Sequence, residues 1–211
     1  MSPRELIDLG LLEPVFGTRS KPFERARDLR ELELFPKGKK GSTAQVPVNC
    51  ALMFLYVLAS DPRRQQVPYS VEQYIRLTNE ESGELFFDTF PLIFNNLQRI
   101  DFVEISRAAP FVIVHQSNDT TEVFSYDYPL ADLEDQVKTT YLFPRKFLRD
   151  YYGYIVQPTH RGYLINPDSL DDQEFDRMVN RVRASDPDIF SEWLSIEEIE
   201  SALSTNHKTQ T

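Results

Sequence analysis

The residues best equipped for chemistry in this chain are three histidines, one cysteine and a few paired acids, and their spacing decides what each can do. His115, His160 and His207 are scattered. None stands at an H-x-x-x-H spacing or beside a C-x-x-C pair, which a zinc site uses to bring its donors around one ion. Cys50 lies in the most apolar stretch, where a thiol ionises poorly and is a weak nucleophile, so it reads as a small buried hydrophobe. Asp171–Asp172 and Glu197–Glu198 carry oxygens of the kind that hold Mg2+. Both pairs also fall in expected first helical turns, where carboxylates favour the positive end of the helix dipole. The glycine patterns of nucleotide binding and the Gly-x-Ser-x-Gly nucleophile turn are missing from the chain. The expectation is a protein with no catalytic residues, no metal and no cofactor, and so no enzyme.

What remains is cationic. Between residues 19 and 40, Arg19, Lys21, Arg25, Arg27, Arg30, Lys37, Lys39 and Lys40 face only Glu24, Asp28, Glu31 and Glu33. The whole chain carries −10, yet residues 1–47 hold nine Lys/Arg against seven acids, leaving the remainder strongly acidic. A negative total argues against nucleic-acid binding by the surface at large. Clustered cations on a helix and a glycine-containing loop nevertheless suit phosphate contact, because they offer mobile charge, backbone donors and little obstruction. The bland reading of the same run is a solvated surface. A smaller patch, Arg145, Lys146 and Arg149 before Tyr151, Tyr152 and Tyr154, offers either stacking platforms for bases or core packing beneath a basic helix face.

The elements that must position these residues follow from periodicity. With 41% hydrophobic residues, 15 Phe and 10 Tyr, the 211-residue chain can build a sizeable core. Its longest apolar run, Cys50–Ala59, is well short of a membrane span, and no secretory signal opens the chain, so a soluble cytoplasmic protein without membrane contact is expected. Helices are expected over residues 3–12 and from Pro22 to about Leu34, the latter with Phe23, Ala26, Leu29 and Leu32 on its apolar face. Pro14, Gly17 and Pro22 should interrupt regular structure between them. Phe35–Thr43 is the clearest loop. A nearly all-apolar helix spans Val48–Ser60, stopped by Asp61–Pro62. Ser70 is expected to cap a helix bearing Val71, Tyr74 and Ile75, and another covers Glu84–Arg99 with Pro91 as a kink or first turn.

The period then falls to two. Phe102–Arg107, Phe111–Gln116 and Thr121–Tyr126 read as three antiparallel strands, the middle one central and buried on both faces. Pro144 opens a helix that Gly153 stops, Tyr154–Gln157 and Tyr163–Asn166 form a hairpin, and helices close the chain, one beginning at the capping box Ser195–Glu198. The fold class is therefore α+β, mostly helical, with a three-stranded antiparallel meander and a C-terminal β-hairpin followed by helices. Residues 1–47 form a basic N-terminal segment, 48–204 the α+β core domain, and 205–211 a disordered tail.

The run Leu9-Gly10-Leu11-Leu12-Glu13-Pro14, then Arg19, then Asp28-Leu29-Arg30-Glu31-Leu32, resembles a MerR-type winged helix-turn-helix from its second helix through the wing. Leu34-Phe35-Pro36-Lys37-Gly38-Lys39-Lys40-Gly41 before an apolar helix is similar to small DNA-binding proteins of bacterial and prophage origin. The resemblance covers the first quarter of the chain and implies phosphate contacts from Arg19, Lys37, Lys39 and Lys40. The function expected is a phage- or bacterial-type transcription regulator that contacts DNA through residues 1–47, its acidic remainder serving homodimerisation, sensing or a protein partner. The alternative is a non-enzymatic interaction module, an accessory factor or inhibitor, whose acidic surface engages a basic protein.

Overall fold

Apolar side chains from Val48 onward have no solvent-facing side to offer, and the structure places them accordingly. In the computed structural model, which describes residues 6–7, 11–18, 20–35, 46–93, 97–107, 109–126, 140–156, 174, 177 and 194–207, the helices are α1 (Leu12–Phe16), α2 (Ser20–Glu31), α3 (Val48–Ser60), α4 (Val67–Arg76), α5 (Phe86–Ile93), α6 (Arg145–Val156) and α7 (Ile196–His207). Every residue of α3 from Val48 to Ala59 is buried, and α2, α4, α5, α6 and strand β2 (Ile100–Ser106) all touch it. Asp61 ends it in the left-handed region, φ 49°.

The strands form one five-stranded sheet in the order β1-β4-β3-β2-β5, with β1 at Thr78–Asn79, β3 at Phe111–Gln116, β4 at Thr121–Ser125 and β5 at Thr140–Pro144. All pairings are antiparallel. The meander β2-β3-β4 follows the expected strands closely, and β3 is central, with Phe111, Val112 and Val114 buried, but it is not buried on both faces along its length, since Ile113 and His115 are only partly covered. Two edge strands enlarge the expected three. Thr78–Asn79 is too short for any period to register, and Thr140–Pro144 gains its strand character by pairing along the whole of Phe102–Ser106. One sheet face, carrying Val103, Ile105, Val112, Val114, Phe124 and Phe143, packs into the same hydrophobic cluster as the helices.

Four local expectations need correction. Tyr154 to Val156 are helical, not the first arm of a hairpin, because α6 runs straight through buried Gly153. Leu148, Tyr151, Tyr152 and Ile155 recur at helical spacing on its buried side, and that packing outweighs glycine's weak helix propensity. The second arm, Tyr163–Asn166, lies outside the described residues. Ser70 does not cap α4, which begins at Val67 with Pro68 in its first turn. Its hydroxyl instead meets that of Ser60 at 2.7 Å, satisfying both between two packed helices. Pro91 sits inside α5, which begins at Phe86 and not at Glu84, and Leu97–Arg99 of the expected helix form a 3-10 turn, with residues 94–96 outside the described residues. Finally α7 continues to His207, so the first three residues of the expected tail are helical.

The capping box expected near the C-terminus is present. Ser195 and Glu198 close a reciprocal capping box, the Glu198 N–H donating to Ser195 Oγ at 3.2 Å and the Ser195 N–H to the Glu198 carboxylate at 2.7 Å. Of the residues between 157 and 193, where further closing helices are expected, only Glu174 and Arg177 are described, and both are helical.

Candidate nucleic-acid interface

Pro14 and Pro22 do not break helices here because each lies within the first turn or so, where a missing N–H costs little. The helix expected from Pro22 is present and begins two residues earlier, and the expected interruption holds a short helix as well. Short α1 ends at Gly17, whose φ of 71° is the left-handed cap that glycine adopts without steric cost; its N–H returns to Glu13 O at 2.8 Å. After the turn, α2 starts at Ser20, whose N–H donates to Thr18 Oγ1 at 3.3 Å. It closes on a Schellman motif. The Leu34 N–H reaches Leu29 O at 3.0 Å and the Glu33 N–H reaches Arg30 O at 3.1 Å, with Glu33 itself left-handed. That termination at Glu31 is why α2 stops before Leu34. Buried Leu6, Leu12 and Phe16, with Ala26 and Leu29, join these two helices to the core.

Ala26, Leu29 and Leu32 are buried as their spacing predicts, and Phe23 alone of the expected apolar face is not. Pro22, Arg25, Ala26, Asp28 and Leu29 face inward, while Phe23 is 39% exposed. Arg25 and Asp28 can enter because they neutralise each other, Nη1 to Oδ2 at 2.9 Å, and the guanidinium also donates to Pro62 O. The outward face then presents Phe23, Glu24, Arg27, Arg30 and Glu31 around a shallow depression.

The eight cations singled out from the sequence therefore separate into three groups. Arg19, Lys37, Lys39 and Lys40 lie outside the described residues. Lys21 and Arg25 are turned inward: Lys21 Nζ is 2.8 Å from Asp61 Oδ1 and lies 5.8 and 5.7 Å from the ring centroids of Phe16 and Tyr141. Arg27 and Arg30 are on the outward face. Arg27 is over half exposed, and its contacts to Asp28 and Glu31 are long, 3.9 Å each, so little energy holds it in place. Arg30 bends its Nε back to Ala26 O at 3.1 Å. Phe23 and Glu24, which belong to the same surface, were missed. The signal for them was available, since positions 20, 23, 24, 27 and 31 recur as one stripe of a helix, but it conflicts with treating Phe23 as core.

The anchors of α2 were also not foreseen. The turn after α3 holds it from below: Asp61 takes Lys21 and also Arg107 of the segment after β2, Pro62 takes Arg25, and Arg64 Nη2 bridges both oxygens of Glu31 at 2.6 and 2.9 Å. Residues dozens of positions apart in sequence thereby fix the angle at which α2 projects.

Other candidate groups fall elsewhere. Tyr151 and Tyr152 are buried, and the Tyr151 hydroxyl donates to Ala51 O at 2.7 Å, so those two rings pack the core rather than presenting faces for bases. Cys50 is buried, and burial pushes its thiol up to about 12, with the Glu198 carboxylate adding to the rise. His115 stacks on Phe102 with centroids 4.0 Å apart, its Nε2 3.4 Å from Glu104. Among the described residues no group of three or more His, Cys, Asp or Glu is placed to hold a metal ion, and no helix is long and apolar enough to cross a membrane. No family model, curated protein or solved structure matches this chain.

Proposed function

We propose that this protein is a DNA-binding regulator that lays the outward face of α2 in the major groove. The observation that carries the reading is the short helix, glycine turn and longer helix of 12–31, with α2 leaving Phe23 and Arg27 exposed and Arg30 half-buried beside them. Arg27 has the reach and the fork of donors to read a guanine edge or hold a phosphate. Phe23 offers an apolar contact for a thymine methyl. Because Glu24 and Glu31 share this face, it is close to neutral, and the net attraction for the duplex comes from Arg19, Lys37, Lys39 and Lys40. The MerR-type resemblance of the same residues adds support. Lys21 and Arg25 act in this reading as positioning residues, holding α2 rather than touching DNA.

The test is fluorescence anisotropy on labelled duplexes over a salt series, with the full chain. Replacing Lys37, Lys39 and Lys40 together by alanine is expected to weaken binding to all sequences alike. It should flatten the slope of log affinity against log salt by about 0.9 for each phosphate that a lysine no longer neutralises. Arg27→Ala is expected instead to relax preference among sequences, by about 1–3 kcal/mol at one base pair. A full-length protein with no affinity for duplex DNA even at low salt overturns the reading.

A further inference from the structure

By spacing alone, the partner of Arg27 is Glu31: the two stand four residues apart on the exposed flank of α2, where an arginine and a glutamate ordinarily pair. The structure gives Glu31 to another cation. Arg64 opens the 3-10 turn Arg64–Gln66 between α3 and α4, and its Nη2 lies 2.6 Å from Glu31 Oε2 and 2.9 Å from Oε1. Arg27 Nε stays 3.9 Å from that same Oε1. Asp28, the other carboxylate beside Arg27, is committed too. Its Oδ2 takes Arg25 at 2.9 Å, and Arg64 Nε comes within 3.4 Å of Oδ1, against 3.9 Å for Arg27 Nη2. Arg27 thus stands beside two acids and bonds neither. The turn that presents Arg64 is tied at both ends, the Gln66 N–H donating to Arg63 O at 2.8 Å and the Arg63 N–H to Gln66 Oε1 at 3.3 Å. Its place against α2 is fixed as well, because Arg25 donates to Pro62 O.

We infer that Arg64 is a positioning residue of the α2 face: by occupying Glu31 it keeps the Arg27 guanidinium free for DNA, which rests on the DNA-binding reading above. A guanidinium bonded to a carboxylate must break that bond before it can turn its fork of donors to a guanine edge or a phosphate. Here the bond is forestalled by a residue 33 positions beyond Glu31. Arg64 wins the contest because it engages both oxygens of Glu31 while its Nε leans toward Asp28, whereas Arg27 has only long contacts to the same two acids. The energies are small, since Arg27, Glu31 and Arg64 are all more than half exposed and water screens the pairs. Releasing Glu31 to Arg27 should therefore lower sequence preference by about twofold, the scale of an exposed pair at this helical spacing, and by less than the loss of Arg27 itself.

The experiment compares the full chain with Arg64→Gln and with Arg64→Gln combined with Glu31→Gln, in two arms. The first contains no DNA and follows the Arg27 Nε–H resonance by nuclear magnetic resonance, assigned by its loss in Arg27→Lys. In Arg64→Gln it is expected to move downfield and exchange with water more slowly, as Glu31 turns to it, and Glu31→Gln should reverse both changes. The second arm measures anisotropy on the best duplex and on one with a single base pair changed. Arg64→Gln should lower the preference between them by about twofold, and adding Glu31→Gln should restore it. Glu24→Gln in the same background alters the charge of the face equally and should not restore it. Circular dichroism checks that the variants fold. Restoration by Glu24→Gln as well would reduce the effect to diffuse charge and overturn the inference. So would a salt slope flattened by about 0.9 in Arg64→Gln and left flat by Glu31→Gln, since Arg64 would then touch phosphate itself. An Arg27 resonance unmoved by Arg64→Gln overturns it whatever the duplexes show. If no duplex binds while the resonance responds as expected, the DNA-binding reading fails and the exchange of partners stands.

Discussion

At the scale of single residues, burial governs behaviour more than residue type does. Leu55 is fully enclosed within α3, so Leu55→Ala leaves a cavity that the close-packed helices around it cannot refill. The expected loss is about 2–5 kcal/mol, read as a lower urea midpoint at unchanged slope. Cys50, one turn earlier, carries a thiol whose native pKa is raised by burial from 9.0 to about 12. A raised acid keeps its neutral form in the fold, so its contribution to stability is complete below pH 9.0 and is lost as pH climbs toward 12. Near pH 8 the thiol should resist maleimide in the native protein and react only once denaturant is added. Rapid labelling under native conditions would mean that α3 is not where the structure puts it.

Elements are held by pairs that no single helix contains. The α2 helix owes its inward face to Arg25 and Asp28, and a buried pair is far more sensitive to losing one member than to losing both. Asp28→Ala should cost about 3–5 kcal/mol because the Arg25 guanidinium then stays buried without its counter-charge. Replacing both, Arg25→Met with Asp28→Leu, should recover most of that loss in the same denaturation experiment. Lys21→Ala removes the tie to Asp61 at one end of α2 and should lower DNA affinity more than it lowers stability, since the helix would still pack but project less firmly. Measuring affinity and unfolding midpoint on the same variant separates these effects.

For the whole molecule, the decisive fact is that one hydrophobic cluster includes Leu6, Leu12, Phe16 and Leu29 from the N-terminal segment as well as Ile199 and Leu203 from α7. The basic segment is thus built into the core, although its charge differs from that of the rest. Removing residues 1–47 would uncover α3, so the shortened chain is expected to lose cooperative unfolding instead of surviving as a core domain. The full chain should unfold in a single calorimetric transition. For the same reason the cleanest test of DNA binding uses point variants on the α2 face and not a truncation.

The sequence by itself determined what depends on near neighbours. The all-apolar run of α3, the two-residue period of β2, β3 and β4, the stop at Asp61 and the Ser195–Glu198 box were all legible, because a period or a cap is written within a few adjacent positions. Only the tertiary structure decided the outward face of α2, the two edge strands and the continuation of α6 through Gly153. Phe23 reads as core until Arg25 and Asp28 are seen to cancel each other against Pro62, and that carbonyl lies 37 positions from Arg25. Thr140–Pro144 becomes a strand through β2, and Gly153 stays helical through the packing of its neighbours. The lysines of 37–40 announced charge in the sequence, but which arginines could face a partner depended on which carboxylates the fold brought to the others. Local pattern fixes conformation, while pairing between distant charges and edges fixes orientation, and orientation decides which side chains of α2 are left exposed.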